Sequence, residues 1–357
     1  MEESRPLAQA LRLAAALPAL CYRGAVAANL WFYRHQLLKV LSLPCLVVGV
    51  GNLTTGGTGK TTAAGTIARW LQGRGRRVAI LSRGYRGQAE RTGAVVSEGA
   101  GPLLSAEAAG DEPFLLARQL PGICVLVGKD RRKTGRIALE RLGADALVLD
   151  DSFQYWRLRK SREILLVDCL SPFGGGRLLP QGRLREPLSG ARRAHAIWLT
   201  HCDLAGPKAT AAIRQVMPRL APGRPILETI HRPTALRHLE GNGLAPLSLL
   251  RGKRLAALSS IGNPAAFELT LAQAGAEVIH PLRFPDHHRY LPAELEELQS
   301  RLAGQVDALV TTEKDAVRLP ANAFRLPAWV VQVELDVLPG QQSLGQHLAQ
   351  LLSEELE

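Results

Sequence analysis

Short apolar runs alternate with amphipathic segments over most of the chain. The apolar runs, often rich in β-branched residues, predict strands at Cys45–Asn52, Arg77–Ser82, Ile123–Val127, Ala146–Asp150, Glu163–Asp168 and Ala194–Thr200. The 3.6-residue spacing predicts helices at Thr61–Gln72, Glu112–Leu120, Arg131–Leu142 and Lys208–Met217. Strands alternating with helices are typical of an α/β fold, a mostly parallel sheet with helices on both faces.

The alternation weakens over Pro233–Arg251 and then resumes. Further strands are predicted at Arg254–Ser259, Glu277–Pro281, Asp307–Thr311 and Trp329–Val333, and further helices at Ala265–Ala274, Pro292–Leu302 and Ser343–Leu352. We therefore predict five segments: an N-terminal helix (1–40), a first α/β unit (41–232), a linker (233–251), a second, smaller α/β unit (252–340) and a closing helix (341–357) that could dock on either unit. The cleft between two such units is a common ligand site.

The N-terminal segment carries a single charge, Arg23, between Leu13 and Tyr33. Arg12, Arg23 and Arg34 recur every eleven residues, which is about three helical turns, and would share one face of a helix. This spacing favours a helix lying in a membrane interface, with a kink at Pro18. A membrane-spanning helix is the second interpretation; a helix packed on the protein core and a secretory signal remain alternatives.

Composition and charge narrow the class of protein. The chain has 357 residues, 46% of them hydrophobic, which indicates a globular protein with more than one domain. Five scattered cysteines without a C-x-x-C pair indicate neither a zinc site nor a disulfide framework. A net charge of +12 indicates an anionic partner: nucleic acid, a membrane surface or a phosphorylated substrate.

The segment TTGGTGKTT, residues 54–62, follows the first predicted strand and precedes a helix. This layout is that of a phosphate-binding loop, although the first glycine of the strict motif is replaced by Thr54. Backbone N–H groups of such a loop surround phosphate oxygens, Lys60 supplies a positive charge, and Thr61 can ligate Mg²⁺. A glycine-rich turn without a ligand is the alternative.

Three acidic or histidine-containing segments are candidates for chemistry on that phosphate. Asp150 and Asp151 end a strand, the expected position of a Mg²⁺-binding carboxylate, although they could also be a turn pair. Asp111 enters a helix and could be only its N-cap. In Asp286-His287-His288 the adjacent histidines should face opposite ways, so a His–Asp pair is more plausible there than a metal site.

Taken together, the motifs resemble those of the tetraacyldisaccharide 4′-kinase family of lipid A biosynthesis. The motifs are GNLTTGGTGKT (51–61), SRGY (82–85), GDEP (110–113), GKDRR (128–132), LDDSFQ (149–154), FGGGRLLPQGRLREP (173–187), IGNP (261–264), FPDHH (284–288) and TTEKDAVRL (311–319). The departures from the family pattern are Thr62 after G-K-T, Ser152 for glycine, Gly175 for asparagine and Arg183 for proline. Ser152 puts the backbone beside Asp151 in question if that position needs positive φ.

The resemblance implies a P-loop kinase that uses ATP and Mg²⁺ to phosphorylate the 4′-hydroxyl of a tetraacylated glucosamine disaccharide 1-phosphate, giving lipid IVA. It implies that Asp111 is the base, with His287 as its partner and Lys60 on the phosphates. The implied nucleotide site is Thr54, Thr55, Gly56, Gly57, Thr58, Gly59, Lys60, Thr61 and Thr62, and the implied metal residues are Thr61, Asp150, Asp151 and Glu186.

The resemblance also implies a monomer without a nucleic-acid partner, attached by its N-terminal helix to the cytoplasmic face of the inner membrane. A basic face including Arg131, Arg132 and Arg177 would hold the anionic lipid. Two rival classes remain open at this point: a partition-type ATPase that binds DNA, and a membrane-attached P-loop scaffold without transfer chemistry. The first usually has a signature lysine where this chain has Thr55.

Overall fold

In a computed structural model of the chain, residues 16–241, 243–320 and 322–356 are described. Their strands form one continuous thirteen-stranded sheet, with β9 (Leu244–Ala245) paired to the side of the main path. Across the sheet the other strands run in the order β11-β10-β12-β13-β8-β7-β6-β1-β5-β2-β4-β3. The α/β fold class predicted from the alternation is confirmed.

The first half of the sheet is parallel except for its edge strand β3. Its strands are β1 (Leu46–Asn52), β2 (Val78–Ser82), β3 (Ala94–Ser97), β4 (Cys124–Val127), β5 (Ala146–Leu149), β6 (Arg162–Asp168) and β7 (Ala196–Thr200). The helices of this half are α1 (Ala16–Arg34), α2 (Lys60–Gln72), α3 (Ala106–Ala109), α4 (Asp111–Gln119), α5 (Arg131–Glu140) and α6 (Cys202–Leu220).

The second half is smaller and repeats the same alternation. Its strands are β8 (Ile226–His238), β10 (Arg254–Ser259), β11 (Glu277–Arg283), β12 (Ala308–Thr312) and β13 (Ala328–Val337), and its helices are α7 (Pro264–Gln273), α8 (Pro292–Leu302), α9 (Glu313–Ala316) and α10 (Leu344–Leu356). Strands β11, β10, β12 and β13 run parallel to one another. Strand β8 is antiparallel to β13 and parallel to β7, and its pairing with β7 joins the two halves.

Side chains of β1 are buried on both faces of the sheet. Val48 packs in a cluster with Ile67 of α2, whereas its neighbour Val47 packs in a different cluster with Ala138 of α5. Successive residues of a strand point to opposite faces, so this split places helices on both sides of the sheet. Helix α10 joins the first of these clusters through Leu348 and Leu352, which are fully buried, so the closing helix docks on the first half.

Part of the segment predicted as an irregular linker, 233–251, is a strand in the structure. Strand β8 continues through Pro233 to His238, with Pro233 opposite Val333 of β13 at a register shift. A proline lacks the N–H needed for a regular ladder but is accommodated at a bulge, so the strand continues into the stretch where the alternation weakens. The edge strand β3 was not predicted. The division of the chain into domains stays a prediction.

Helix α1 confirms a helix in the N-terminal segment over Ala16–Arg34. Arg12 lies outside the described residues. Pro18 lies in the first turn of α1, and the kink expected there stays a prediction because the preceding residues are not described. Among the described residues, no helix combines the length and apolarity required to cross a bilayer. Large apolar side chains of this region are exposed: Leu17, Leu20, Trp31, Phe32, Leu37, Leu38 and Val40.

Candidate active site

The glycine-rich loop leaves β1 and enters α2, as its sequence predicted. Gly56 and Gly59 have φ of 117° and 80°, a region that glycine enters without the steric cost paid by other residues. The side chain of Asn52, at the end of β1, donates to Thr58 Oγ1 at 3.0 Å and fixes the base of the loop. The loop therefore has a defined backbone shape before any ligand is considered.

A cavity of about 1240 Å³ lies over this loop and extends to the second half of the sheet. The loop residues that line it are Thr55, Gly56, Gly57, Thr58, Gly59, Lys60, Thr61 and Thr62. Thr54 is buried below the loop and lines a smaller neighbouring pocket of about 300 Å³. Lys60 Nζ donates to the Gly56 carbonyl at 3.3 Å, which keeps its charge on the loop.

Asp150 follows β5 and is almost completely buried. Its Oδ2 lies 3.4 Å from Thr61 Oγ1 and 3.5 Å from Ser82 Oγ, whereas its Oδ1 has no hydrogen-bond partner. Burial, reinforced by Glu112 and Asp151, raises the pKa of Asp150 to about 7. A buried carboxylate with an unsatisfied oxygen beside two hydroxyls is the donor set that a hard, oxygen-seeking cation requires, so these residues fit Mg²⁺.

Asp151 lies beside Asp150 in a different environment. Both of its oxygens accept from Arg185 Nη1 at 2.9 Å, and Lys60 Nζ lies 3.9 Å from Oδ1. Burial would raise the pKa of Asp151, but Lys60 and Arg185 outweigh it and lower the pKa to about 2. The positive φ of this turn, 47°, falls on Asp151 and not on Ser152, so the serine in place of glycine is compatible with the backbone.

Glu186 lies in a layer behind these aspartates. Its two oxygens accept from Arg193 at 2.8 and 2.9 Å, and Gln154 bridges it to Arg185. Side-chain hydrogen bonds thus connect Glu186 to Asp151, and the carboxylate of Glu186 forms an ion pair with Arg193. These contacts reach Asp151 through Gln154 and Arg185, and the contact of Glu186 with a metal stays a prediction.

Arg131 does not belong to an exposed basic face, which corrects the expectation from sequence. It is buried, and its Nη2 donates to the Asp150 carbonyl at 2.8 Å and the Asp151 carbonyl at 3.4 Å. Arg132 pairs with Asp130 at 2.7 Å and remains partly exposed. Arg131 therefore binds the backbone carbonyl groups of Asp150 and Asp151 from the buried side.

Asp111 and His287 meet across the two halves, although 176 residues separate them. Asp111 is the first residue of α4, its N-cap is Gly110, and its Oδ2 lies 2.9 Å from His287 Nδ1. Burial raises the pKa of Asp111, but the hydrogen bond from His287 and the charges of Arg318 and Lys314 outweigh it, so the pKa is lowered. Asp111 is therefore ionised at neutral pH.

The adjacent histidines do face different partners, as predicted. His288 Nε2 lies 2.8 Å from Glu294. His287, whose φ is 62°, faces Asp111, and its ring lies tilted against that of Tyr85. Among the described residues, no group of three or more His, Cys, Asp or Glu side chains is placed to hold a metal ion.

Further contacts connect the second half to the phosphate-binding loop and to Asp111. A Cβ on Gly262, in the IGNP motif, would lie 2.5 Å from the Gly57 nitrogen, so the two backbones touch. Lys314 and Arg318 follow β12, and Arg318 Nε lies 3.3 Å from Asp111 Oδ2. Both halves therefore contribute groups to the wall of a single cavity.

Reasoning from spacing missed Ser82, Arg185, Lys314 and Arg318. Each lies in a segment that the family resemblance had marked, namely SRGY, the long glycine-rich run and TTEKDAVRL. Single hydroxyl or cationic side chains leave no periodic pattern in a sequence, so only the family motifs that contain them could have identified them as site residues.

The loop after β1, the buried acid after β5 and the helix-flanked parallel sheet define a P-loop nucleotide-binding protein. The sequence profile of the tetraacyldisaccharide-1-P 4′-kinases matches residues 11–353. The chain therefore belongs to the tetraacyldisaccharide 4′-kinase family.

Individual relatives agree over nearly the whole chain. The tetraacyldisaccharide 4′-kinase of Anaeromyxobacter dehalogenans (strain 2CP-C) is 48% identical, covering 92% of this chain and 87% of its own length. That of Geobacter sulfurreducens is 39% identical, covering 97% and 96%. The solved structure of LpxK from Aquifex aeolicus in complex with ATP superposes with a TM-score of 0.73 at 28% identity, covering 97% of this chain and all of that one.

Proposed function

We propose that this protein transfers the γ-phosphoryl group of ATP to the 4′-hydroxyl of a tetraacylated glucosamine disaccharide 1-phosphate, in the formation of lipid A. The hydroxyl oxygen forms a bond to the γ-phosphorus, the bond to the β–γ bridging oxygen breaks, ADP leaves, and the hydroxyl proton passes to a carboxylate. Family membership supports the substrate pair. The single observation that carries the chemistry is the meeting of Asp111 and His287 beside the phosphate-binding loop.

In this proposal the loop of residues 54–62 holds the triphosphate. Lys60 neutralises charge that develops on the phosphate oxygens, and positioning with electrostatics accounts for most of the rate. Thr61 and Asp150 would hold Mg²⁺, with Ser82 beside them and Asp151 within reach of the same site. When bound, the metal ion supplies further positive charge to the phosphates.

Asp111 serves as the general base. Its low pKa keeps it ionised, and it lies on the first turn of α4, in contact with His287, which lines the cavity that contains the loop. His287 and Arg318 both contact Oδ2, which leaves Oδ1 as the oxygen that accepts the proton of the alcohol.

The substrate's acyl chains require access from a membrane, and α1 supplies a suitable surface. Exposed Leu17, Leu20, Trp31 and Phe32 would enter the interface of the inner membrane on its cytoplasmic side. Tyr22 of the same helix lines the cavity and donates to the Arg185 carbonyl at 2.8 Å. In this proposal the membrane contact lies next to the site, and the protein acts as a monomer.

The test is a transfer assay with Mg-ATP and the detergent-dispersed disaccharide 1-phosphate, read by the mass of the lipid product. Asp111→Asn should lower turnover about 10²–10⁴-fold while ATP binding is retained. Asp307→Asn, which alters a partly exposed carboxylate paired with Arg254, is the matched control and should keep full activity. Unchanged turnover in Asp111→Asn would remove this residue from the base role, and no phosphate on the lipid with the parent protein would refute the proposed reaction.

A further inference from the structure

The two ring nitrogens of His287 face groups of opposite character. Nδ1 lies 2.9 Å from a carboxylate oxygen of Asp111, whereas Nε2 lies 3.4 Å from Nζ of Lys314. An ammonium group has only hydrogens to donate, so the nitrogen that faces it must present a lone pair. The ring hydrogen is thereby assigned to Nδ1, from which it is donated to Asp111.

Lys314 is held in place by two carboxylates. Its Nζ lies 3.0 Å from Glu112 on α4 and 3.4 Å from Asp286 in the histidine loop. Burial lowers the pKa of Lys314, but these two acids outweigh it and raise the pKa, so the side chain stays charged. It also lines the large cavity, with 20% of its side chain exposed.

We infer that Lys314 is a positioning residue that fixes the tautomer of His287 and prevents a second proton from binding at Nε2, so that Asp111 remains available as the base. This inference rests on the proposed function, because it assigns a role within the Asp111–His287 pair. Nothing in the spacing of TTEKDAVRL indicated such a role, since Lys314 and His287 meet only in the folded chain.

The charged groups around His287 determine what removal of Lys314 would do. Asp111 faces Nδ1, and Arg318 contacts the same carboxylate. Asp286 lies 3.9 Å from Nε2, and Lys314 Nζ lies 3.4 Å from both Nε2 and Asp286; Tyr85 contacts the ring. Without the lysine, Asp286 would be the charged neighbour of Nε2 and would favour its protonation. A doubly protonated ring would then hold the Asp111 carboxylate as an ion pair and lower its basicity.

The first measurement needs no substrate. Selective ¹⁵N labelling of histidine, with His287→Gln used to assign the signal, reports which ring nitrogen carries the hydrogen. The parent protein should show a neutral ring protonated at Nδ1 near pH 7. A ring protonated at Nε2 would overturn the inference whatever the enzyme's activity.

The second measurement is the pH profile of kcat/KM for lipid phosphorylation. In Lys314→Met the acidic limb should move to higher pH, with activity falling roughly tenfold at about pH 6 and less than about threefold at about pH 8.5. Lys314→Arg, which keeps a donor-only cation, should restore the parent profile in part, and Lys253→Met, an exposed lysine of the same half, should leave it unchanged. A uniform loss at all pH values would indicate that Lys314 only ties Glu112 to Asp286 and would overturn the inference.

The two failures are distinguishable. If the Nδ1 hydrogen is found but Asp111→Asn keeps full turnover, the proposed base role fails and the tautomer assignment stands. If Asp111→Asn loses turnover and the Lys314→Met profile keeps its acidic limb, the role of Lys314 fails and the base stands.

Discussion

Asp150 should destabilise the metal-free protein at neutral and alkaline pH, and replacing it with asparagine should relieve the cost. The carboxyl group is 1% exposed, and its pKa rises from 3.8 to about 7 on folding. The folded state therefore binds more protons than the unfolded chain between about pH 4 and pH 7, so stability falls as pH rises through that window and stays low above it.

The magnitude follows from the shift. Each unit of pKa corresponds to about 1.4 kcal/mol, so the rise costs about 4 kcal/mol of unfolding free energy above pH 7. Asparagine has the shape of the carboxyl group without its charge, and its amide can donate to the hydroxyls of Thr61 or Ser82. Asp150→Asn should accordingly exceed the parent by about 1.5 kcal/mol near pH 5 and by about 4 kcal/mol near pH 8.

The assay is urea unfolding of the parent and Asp150→Asn at pH 5 and pH 8 in the presence of a chelator. The difference between the two proteins isolates Asp150, because other titrating groups contribute alike to both. Adding Mg²⁺ at pH 8 should stabilise the parent and leave the variant nearly unchanged. A stability difference that is equal at both pH values, or a variant that is no more stable at pH 8, would refute this account of Asp150.

Two further predictions concern the contact between the halves and the membrane surface. Gly262→Ala places a Cβ 2.5 Å from the Gly57 nitrogen, so calorimetry should show roughly tenfold weaker ATP binding. The control Gly243→Ala, whose Cβ meets nothing within 4 Å, should bind ATP as the parent does. Equal ATP binding by both variants would contradict the close approach of the two backbones. Trp31→Ser removes a side chain that is 51% exposed and should weaken sedimentation with anionic vesicles about tenfold. The control Leu244→Ser, at a side chain 66% exposed on β9, should not weaken it. Equal losses in both variants would argue against a specific role of α1.

Local sequence pattern predicted most of the elements around the site. The strand before the phosphate-binding loop, the glycines of the loop and the helix that begins at Lys60 depend on neighbours in sequence, because strand burial, positive φ and helix entry are local requirements. Asp150 was identified by the same logic, as an acid at the end of an apolar strand.

The local sequence pattern could not predict which residues far apart in the chain would pair. The extension of β8 through Pro233 depends on a bulge opposite Val333, and no local signal marks the partner strand. The motif resemblance implied a metal role for Glu186, which stays a prediction; its ion pair with Arg193 became visible only in the folded chain. Arg131 was expected on a basic face that holds the lipid, but it is buried and donates to the Asp150 carbonyl.

The sequence alone determined the α/β class, the phosphate-binding loop and the residue types available for chemistry, because those follow from periodicity and from the conformational freedom of glycine. Only the tertiary structure decided which acid stays ionised, which groups face the two ring nitrogens of His287 and which cation is buried. These depend on distances and on removal from water, and groups such as Asp111, His287 and Lys314 acquire both only when remote segments of the chain pack together.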